Sequence, residues 1–286
     1  VRGFVPGYDA VAPKTLAEAV ALLADAPGQW TPIAGGTDLM VLFEAGHLKA
    51  RRLMSIWRLS ELRGIKVDKS VVEIGGLTTY TDLRQHGVIC AEYPQLAMAA
   101  SETGGWAIQN RGTLAGNIAN ASPAADSPPA LLVHDAELVL VSKRGERRVP
   151  YKDFHQGYKR TLLAPDELIK AIRLPRETSQ VVHGYRKVGT RRAQAISKVV
   201  FAARAEWDGR QLREVRLAYG SVAPTTVRCE ATEALLQGAK LDPAVIAAAV
   251  RSVAAEIAPI DDVRSDAGYR REVAGNLLSR FLTDLR

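Results

Sequence analysis

NRGTLAGNIANASPAADSPPALL, residues 110–132, follows neither a 3.6-residue nor a two-residue apolar period. It is rich in Gly, Asn, Ala, Ser and Pro, yet too apolar and too varied for a flexible linker. A long irregular segment inside a compact domain is usually functional or disordered. The embedded Leu114 and Ile118, with the closing Pro128-Pro129-Ala130-Leu131-Leu132, predict an ordered loop from Gly112 to Pro129 that leads into a helix. Its first part, Asn110 to Asn117, offers small residues, side-chain donors and exposed amides. Asp126, on a proline-stiffened stretch, could accept bonds from ribose-type hydroxyls. Taken alone, the stretch fits a surface loop with an Asx turn at Asp126 somewhat better.

A second glycine-bearing stretch lies upstream: Pro32-Ile33-Ala34-Gly35-Gly36-Thr37-Asp38-Leu39. A strand runs into two glycines, which permit a tight turn with positive φ and no Cβ in the way. Successive backbone N–H groups there form a nest able to hold a pyrophosphate. An ordinary strand-to-helix turn capped by Thr37 or Asp38 fits the same residues. Neither stretch is the dinucleotide GxGxxG or the GxxxxGK[ST] phosphate loop. A phosphate held by two such loops need not be neutralised by lysine.

Around these loops the pattern is mixed. Thr15-Leu16-Ala17-Glu18 has capping-box spacing and opens a helix that Pro27-Gly28 ends. Trp30–Ala34, Leu53–Ile56, Val71–Gly75, Glu137–Ser142 and Glu167–Leu174 read as strands. Helices are expected from Thr81-Asp82 through Val88 and over Tyr93–Glu102, and Lys143–Arg148 as a basic solvated turn. The polar stretch Arg176–Gln180 reads as a domain boundary. Beyond it, Val199–Trp207 and Glu214–Val222 pair as strands joined at Asp208-Gly209. Asp242-Pro243 starts one helix, and Asp266–Leu285 forms the last. Irregular alternation followed by a small strand–strand–helix–helix unit predicts two α+β domains.

The chain has 286 residues, 47% hydrophobic and 24% charged, enough for a sizeable core. That excludes disorder or coiled coil as whole-chain readings. A net charge of +7 raises nucleic acid as a partner. No stretch approaches the ~18 apolar residues of a membrane span, and Val1–Asp9 lacks the pattern of a signal peptide. Cys90 and Cys229 cannot build a disulfide framework, a four-thiolate zinc site or an iron–sulfur cluster. Cys90, after Val88-Ile89, is expected to be buried and inert. The histidines show no HExxH spacing, and no GxSxG elbow occurs. Trp106, after Gly104-Gly105, fits a packing role better than stacking over a ring system. His183 to Lys198 carries five Lys or Arg and no acid. It reads as a cationic lip near an anionic cofactor or negative redox partner, or as a solvated basic hairpin. Tyr185 is its only aromatic residue, which argues against a single-strand stacking platform.

Five stretches together carry a resemblance: IAGGTDL (33–39), NRGTLAGNIANASPAADSPPALL (110–132), DELIKAIRLP (166–175), KVGTRRAQAISKV (187–199) and LAYGSVAPTTVRCEATEALLQG (217–238). In order and spacing, over nearly the whole chain, they resemble the FAD-binding medium subunit of molybdenum hydroxylases, the xanthine dehydrogenase and carbon monoxide dehydrogenase family. The resemblance implies a two-lobed α+β FAD-binding domain of the vanillyl-alcohol-oxidase (PCMH) type at 1–175, with lobes at about 1–58 and 59–175. A small α+β C-terminal domain with a three-stranded antiparallel sheet would occupy 180–286.

The resemblance also implies roles. The backbone of Ile33, Ala34, Gly35, Gly36 and Thr37, with Asp38 and Leu39 alongside, would bind the FAD pyrophosphate and its surroundings. Gly112, Thr113, Leu114, Ala115 and Gly116, followed by Asn117, would form a second phosphate loop. Asp126 would hold adenosine or ribityl hydroxyls, and Thr103, Ala119 and Asn120 would lie near the cofactor. Ile169 would touch the adenine or a ring edge, and Lys187 would lie near the isoalloxazine. Ala115 stands where relatives often have glycine, and is tolerated if its φ is negative. Gly105-Trp106 replaces a small polar pair.

FAD would be non-covalent, with no metal in this chain. The molybdenum cofactor and [2Fe-2S] clusters would sit in a large and a small partner subunit, in a dimer of heterotrimers. Electrons would pass through this cytoplasmic subunit to NAD, oxygen or a quinone-linked carrier, with no nucleic acid and no membrane span involved. A self-contained flavin oxidase or a basic nucleic-acid module are the competing readings. The C-terminal part is small for a substrate domain, and no nucleic-acid motif supports the second.

Overall fold

The computed structural model describes residues 7–176 and 180–286. The first lobe holds β1 (Asp9–Val11), α1 (Leu16–Asp25), β2 (Thr31–Ile33), α2 (Leu39–Glu44) and β3 (Arg52–Ser55). Its strands are parallel in the order β1-β3-β2. Parallel neighbours need crossovers, and the helices supply them. Thr15 caps α1 by accepting from the Glu18 amide. The buried face of α1, Ala19, Val20 and Leu23, packs with Trp30, Met54 and Leu59. Val141 and Leu168 of the second lobe join the same cluster, so the lobes are tied along one seam.

The second lobe opens with β4 (Ile65–Val67) and β5 (Val71–Gly75). Six short helices follow: α3 (Tyr80–Gln85), α4 (Gly87–Glu92), α5 (Pro94–Glu102), α6 (Trp106–Gln109), α7 (Leu114–Asn120) and α8 (Pro128–Val133). Then come β6 (Glu137–Ser142), β7 (Gly145–Pro150), α9 (Tyr151–Phe154), β8 (His155–Gly157), β9 (Arg160–Thr161) and β10 (Leu168–Pro175). Five of these strands form an antiparallel sheet in the order β4-β5-β10-β6-β7. β8 and β9 make a separate two-stranded hairpin.

The last part comprises β11 (Val182–Val188), β12 (Val199–Trp207), β13 (Leu212–Gly220), β14 (Val227–Arg228), α10 (Glu230–Leu236), α11 (Pro243–Glu256) and α12 (Ala267–Asp284). Its sheet, β11-β12-β13-β14, is antiparallel throughout. β12 buries both faces. Val200 and Ala202 point into the core shared with α5 and α8. Val199, Phe201, Ala203 and Ala205 point to the other side, with Leu236, Val253 and Leu278 of α10–α12. Successive side chains alternate across a sheet, so a strand covered on both faces reads as a continuous apolar run.

Several expectations change. The loop foreseen from Gly112 to Pro129 contains α7, started by Thr113 and stopped by Ala121 in the left-handed region (φ 48°). The helix expected from Thr81 starts earlier, because Thr79 and Asp82 form a capping box, and it breaks at His86 into α3 and α4. The basic turn Lys143–Arg148 is partly β7, whose pairing with β6 runs from Gly145 to Pro150. The two-residue β14 extends the three long strands of the C-terminal sheet. Cys90 is exposed, since α4 turns Ile89 inward and the next residue out. The boundary read at Arg176–Gln180 centres on residues 177–179, outside the described residues.

Candidate functional site

A cleft of about 730 Å³ opens between the two lobes. The first lobe contributes Ala34–Leu39 and Leu42, and the second Gly76, Tyr80, Thr103, Gly112, Thr113 and the cleft face of α7. The hairpin adds Lys159 and Thr161, and β10 with its preceding turn adds Leu168 and Ile169.

The two glycine stretches meet here as backbone. A Cβ on Gly35 would stand 1.6 Å from the Arg111 carbonyl oxygen, so only glycine fits. Gly36 follows with φ 77°. The amides of Gly35, Gly36, Thr37 and Asp38 donate to no protein acceptor among the described residues. They are the amides that the sequence reading assigns to a nest, and they lie on the cleft wall. Asp38 is the N-cap residue of α2 through its carbonyl; its side chain makes no cap bond and instead accepts from Asn120 Nδ2 at 3.1 Å. Ile33 ends β2 and stands behind the turn, off the cleft lining.

The second stretch works differently. The Gly112 amide donates to Ile108 O, Leu114 to Thr78 O and Ala115 to Gly76 O. The Gly116 amide is capped by Thr113 Oγ1 at 3.1 Å. These donors already serve the protein, so this loop supplies shape more than donors. Leu114 is buried in the core. Ala115 is helical, outside the positive-φ set, so its methyl group costs no backbone strain. Asn117, Ala119, Asn120 and Ile169 line the cleft. Asn117 Oδ1 is buried there without a hydrogen-bond partner.

Asp126 and Lys187 lie one layer deeper. Their ion pair is 2.6 Å long, with side chains 8% and 5% exposed. Ser197 Oγ donates to the other carboxylate oxygen at 2.5 Å. Lys187 also donates to the Glu102 carbonyl. Burial pushes the Asp126 carboxyl up, against the pull of Lys187, Ser197 and Thr103. Thr103, on the cleft wall, donates to the Ala99 carbonyl at 2.7 Å and lies 3.4 Å from Asp126 Oδ2, between this pair and the open space. Expected to hold cofactor hydroxyls, Asp126 thus stands with both oxygens engaged by protein groups.

The basic segment 183–198 divides into β11 and a loop. Arg191 folds back onto the carbonyls of Ala193 and Gln194. The Gln194 side chain covers Gly105, where a Cβ would meet Nε2 at 2.7 Å. The cationic loop therefore sits on the Gly104-Gly105 turn, next to Thr103. Trp106 is 75% exposed, with the Arg84 guanidinium 4.9 Å from its ring centre. The packing role expected for it is overturned, because α6 directs the indole to solvent.

Sequence reasoning missed Gly76, Tyr80 and Lys159. Gly75-Gly76 follows a strand as Gly35-Gly36 does, and that repetition was the available signal. A Cβ on Gly76 would meet Ile169 O at 2.4 Å. Lys159 carried no signal, because its place depends on the hairpin.

A cleft between two lobes, with backbone amides free of protein acceptors on one wall, is the frame in which the relatives of this chain are read. The family described as the FAD binding domain in molybdopterin dehydrogenase matches residues 6–177. The CO dehydrogenase flavoprotein C-terminal domain matches 184–285. The chain is 34% identical over 272 residues to the xanthine dehydrogenase FAD-binding subunit of Escherichia coli O157:H7, covering 94% of this chain and 93% of that one. It is 32% identical over 277 residues to the carbon monoxide dehydrogenase medium chain of Hydrogenophaga pseudoflava, covering 97% and 96%. A solved structure of carbon monoxide dehydrogenase from the same organism superposes with a TM-score of 0.93, at 32% identity and 97% and 96% coverage. The chain belongs to the FAD-binding family of molybdopterin dehydrogenases, and is an oxidoreductase subunit of the xanthine and carbon monoxide dehydrogenase type. Among the described residues, no helix is long and apolar enough to cross a membrane.

Proposed function

We propose that this chain is the electron-transferring FAD subunit of a multi-subunit molybdenum hydroxylase. The observation that carries the reading is the interlobe cleft, whose wall carries the amides of residues 35–38 without a protein partner among the described residues. Backbone donors left without a protein partner on a cleft wall are available to an anionic ligand. Gly35 and Gly36 would hold its pyrophosphate by backbone contact. Ile33 would support the turn, and Thr37 to Leu39 would flank it. Gly112 to Asn117, Ala119, Asn120 and Ile169 would shape the opposite wall. Thr103, backed by Asp126 and Lys187, would orient the flavin end.

When bound, FAD accepts electrons singly and releases them as a hydride pair. This chain's residues bind and orient it and exclude water. Electrons would arrive from [2Fe-2S] clusters of a small partner subunit. Substrate, a purine, another N-heterocycle or an aldehyde, would be hydroxylated at molybdenum in a large partner subunit. NAD or another carrier would be the acceptor, and a dimer of heterotrimers the assembly. Relatives named for a purine and for carbon monoxide both align over nearly the whole of this chain and of themselves, which supports placing substrate choice in another subunit.

Rapid mixing of the co-purified complex with its oxidisable substrate tests the relay. Flavin absorbance should bleach only with partners present, and NAD should restore it. Bleaching of the isolated chain by substrate would favour a self-contained oxidase.

A further inference from the structure

Among the described residues, the cleft lining holds two carboxylates, Asp38 and Glu167, and a single cationic side chain, Lys159. Glu167 is answered from behind by a bidentate Arg147. Among the described residues Lys159 makes no ion pair; its ammonium donates to the neutral Asn120 Oδ1 at 2.7 Å. Asn120 Nδ2 in turn donates to Asp38 Oδ1 at 3.1 Å. A chain of polar side chains therefore crosses from the hairpin through the end of α7 to the first-lobe nest.

The hairpin is built to aim this side chain. Lys159 adopts φ 56°, a left-handed conformation that costs a non-glycine residue roughly 1–2 kcal/mol. The hairpin joins no larger sheet. It is pinned instead by His155 Nε2, 3.0 Å from the Ile118 carbonyl of α7. Two anchors thus tie the hairpin to α7, and one of them is the lysine.

We propose that Lys159 is a cofactor-binding residue whose ammonium supplies the counter-charge to the pyrophosphate held by the 35–38 nest. The proposal rests on the reading of the cleft as the FAD site. A pyrophosphate brings negative charge to a wall that already carries Asp38. Backbone amides answer it with dipoles but no net charge. Lys159 is the full positive charge on the lining, and its contact with Asn120 leaves two of its three N–H donors for a ligand.

The test uses the full-length chain freed of flavin and titrated with FAD and with riboflavin, which lacks phosphate, at low and high salt. K159M should weaken FAD about tenfold or more, the scale of one charge-assisted hydrogen bond, and leave riboflavin unchanged. K159R should keep most of the affinity. Salt should weaken FAD binding less in K159M than in the parent, because exposed charges are screened. Equal FAD affinity and equal salt dependence in parent and K159M would overturn the proposal, as would equal losses for FAD and riboflavin. K159Q, which keeps a donor without charge, gives the same comparison if K159M does not fold. A parent chain that binds neither ligand would instead sink the reading of the cleft.

Discussion

A Cβ at Gly35 would collide with the Arg111 carbonyl oxygen, so the first-lobe nest and the second-lobe wall touch through bare backbone. G35A must part the lobes at that point. It should destabilise the fold by about 1–3 kcal/mol, as overpacking does, and abolish FAD retention. Urea melts with flavin titration measure both. Normal retention would show that the contact does not set the cleft. At the deeper Asp126–Lys187 pair, K187M leaves a buried carboxylate unpaired. Breaking such pairs costs about 3–5 kcal/mol. The double variant D126N/K187M should recover much of it, and strictly additive losses would contradict the coupling. Neither the pair nor its depth was legible in the sequence: Asp126 and Lys187 are far apart in the chain and meet through tertiary packing of β11 on the turn before α8, where the Tyr185 hydroxyl donates to the Asp126 carbonyl. Cys90 misled for a related reason, since an apolar doublet before it does not say which face of a short helix is covered.

At the scale of elements, α7 shows why part of the site stayed hidden. Seven residues rich in Gly, Ala and Asn display no period, and such a helix holds by its cap and by tertiary packing. Thr113 is that cap. T113A should cost about 1 kcal/mol and weaken FAD binding, while T113S should keep both. The β8–β9 hairpin depends on His155. Burial holds its imidazole below the ordinary 6.5, against the opposing pull of the Ile118 carbonyl. The unfolded chain binds that proton more readily. Stability from this group is therefore complete above pH 6.5 and lost as pH falls through the lower folded value. In H155Q the acid-side decline in melting temperature should be shallower, and an unchanged decline would contradict the assignment. Longer strands such as Val71–Gly75 and Val199–Trp207 were legible because their apolar runs are bounded by turn residues.

Across the whole molecule, the C-terminal sheet is packed between α5 and α8 on one face and α10–α12 on the other. We propose that 1–175 and 180–286 are units of sequence joined in one cooperative core. Calorimetry should show one transition for the full chain, raised by FAD through mass action. Two separated transitions would contradict this. The order of the five matching stretches exposed the architecture, but the cleft depends on backbone approach between stretches distant in sequence. The most direct measurement is the flavin stoichiometry of the purified full-length chain after incubation with FAD and removal of the excess. One FAD per chain, released intact on denaturation, is the expected result. A chain that stays colourless, or one whose flavin survives denaturation bound to protein, would contradict it.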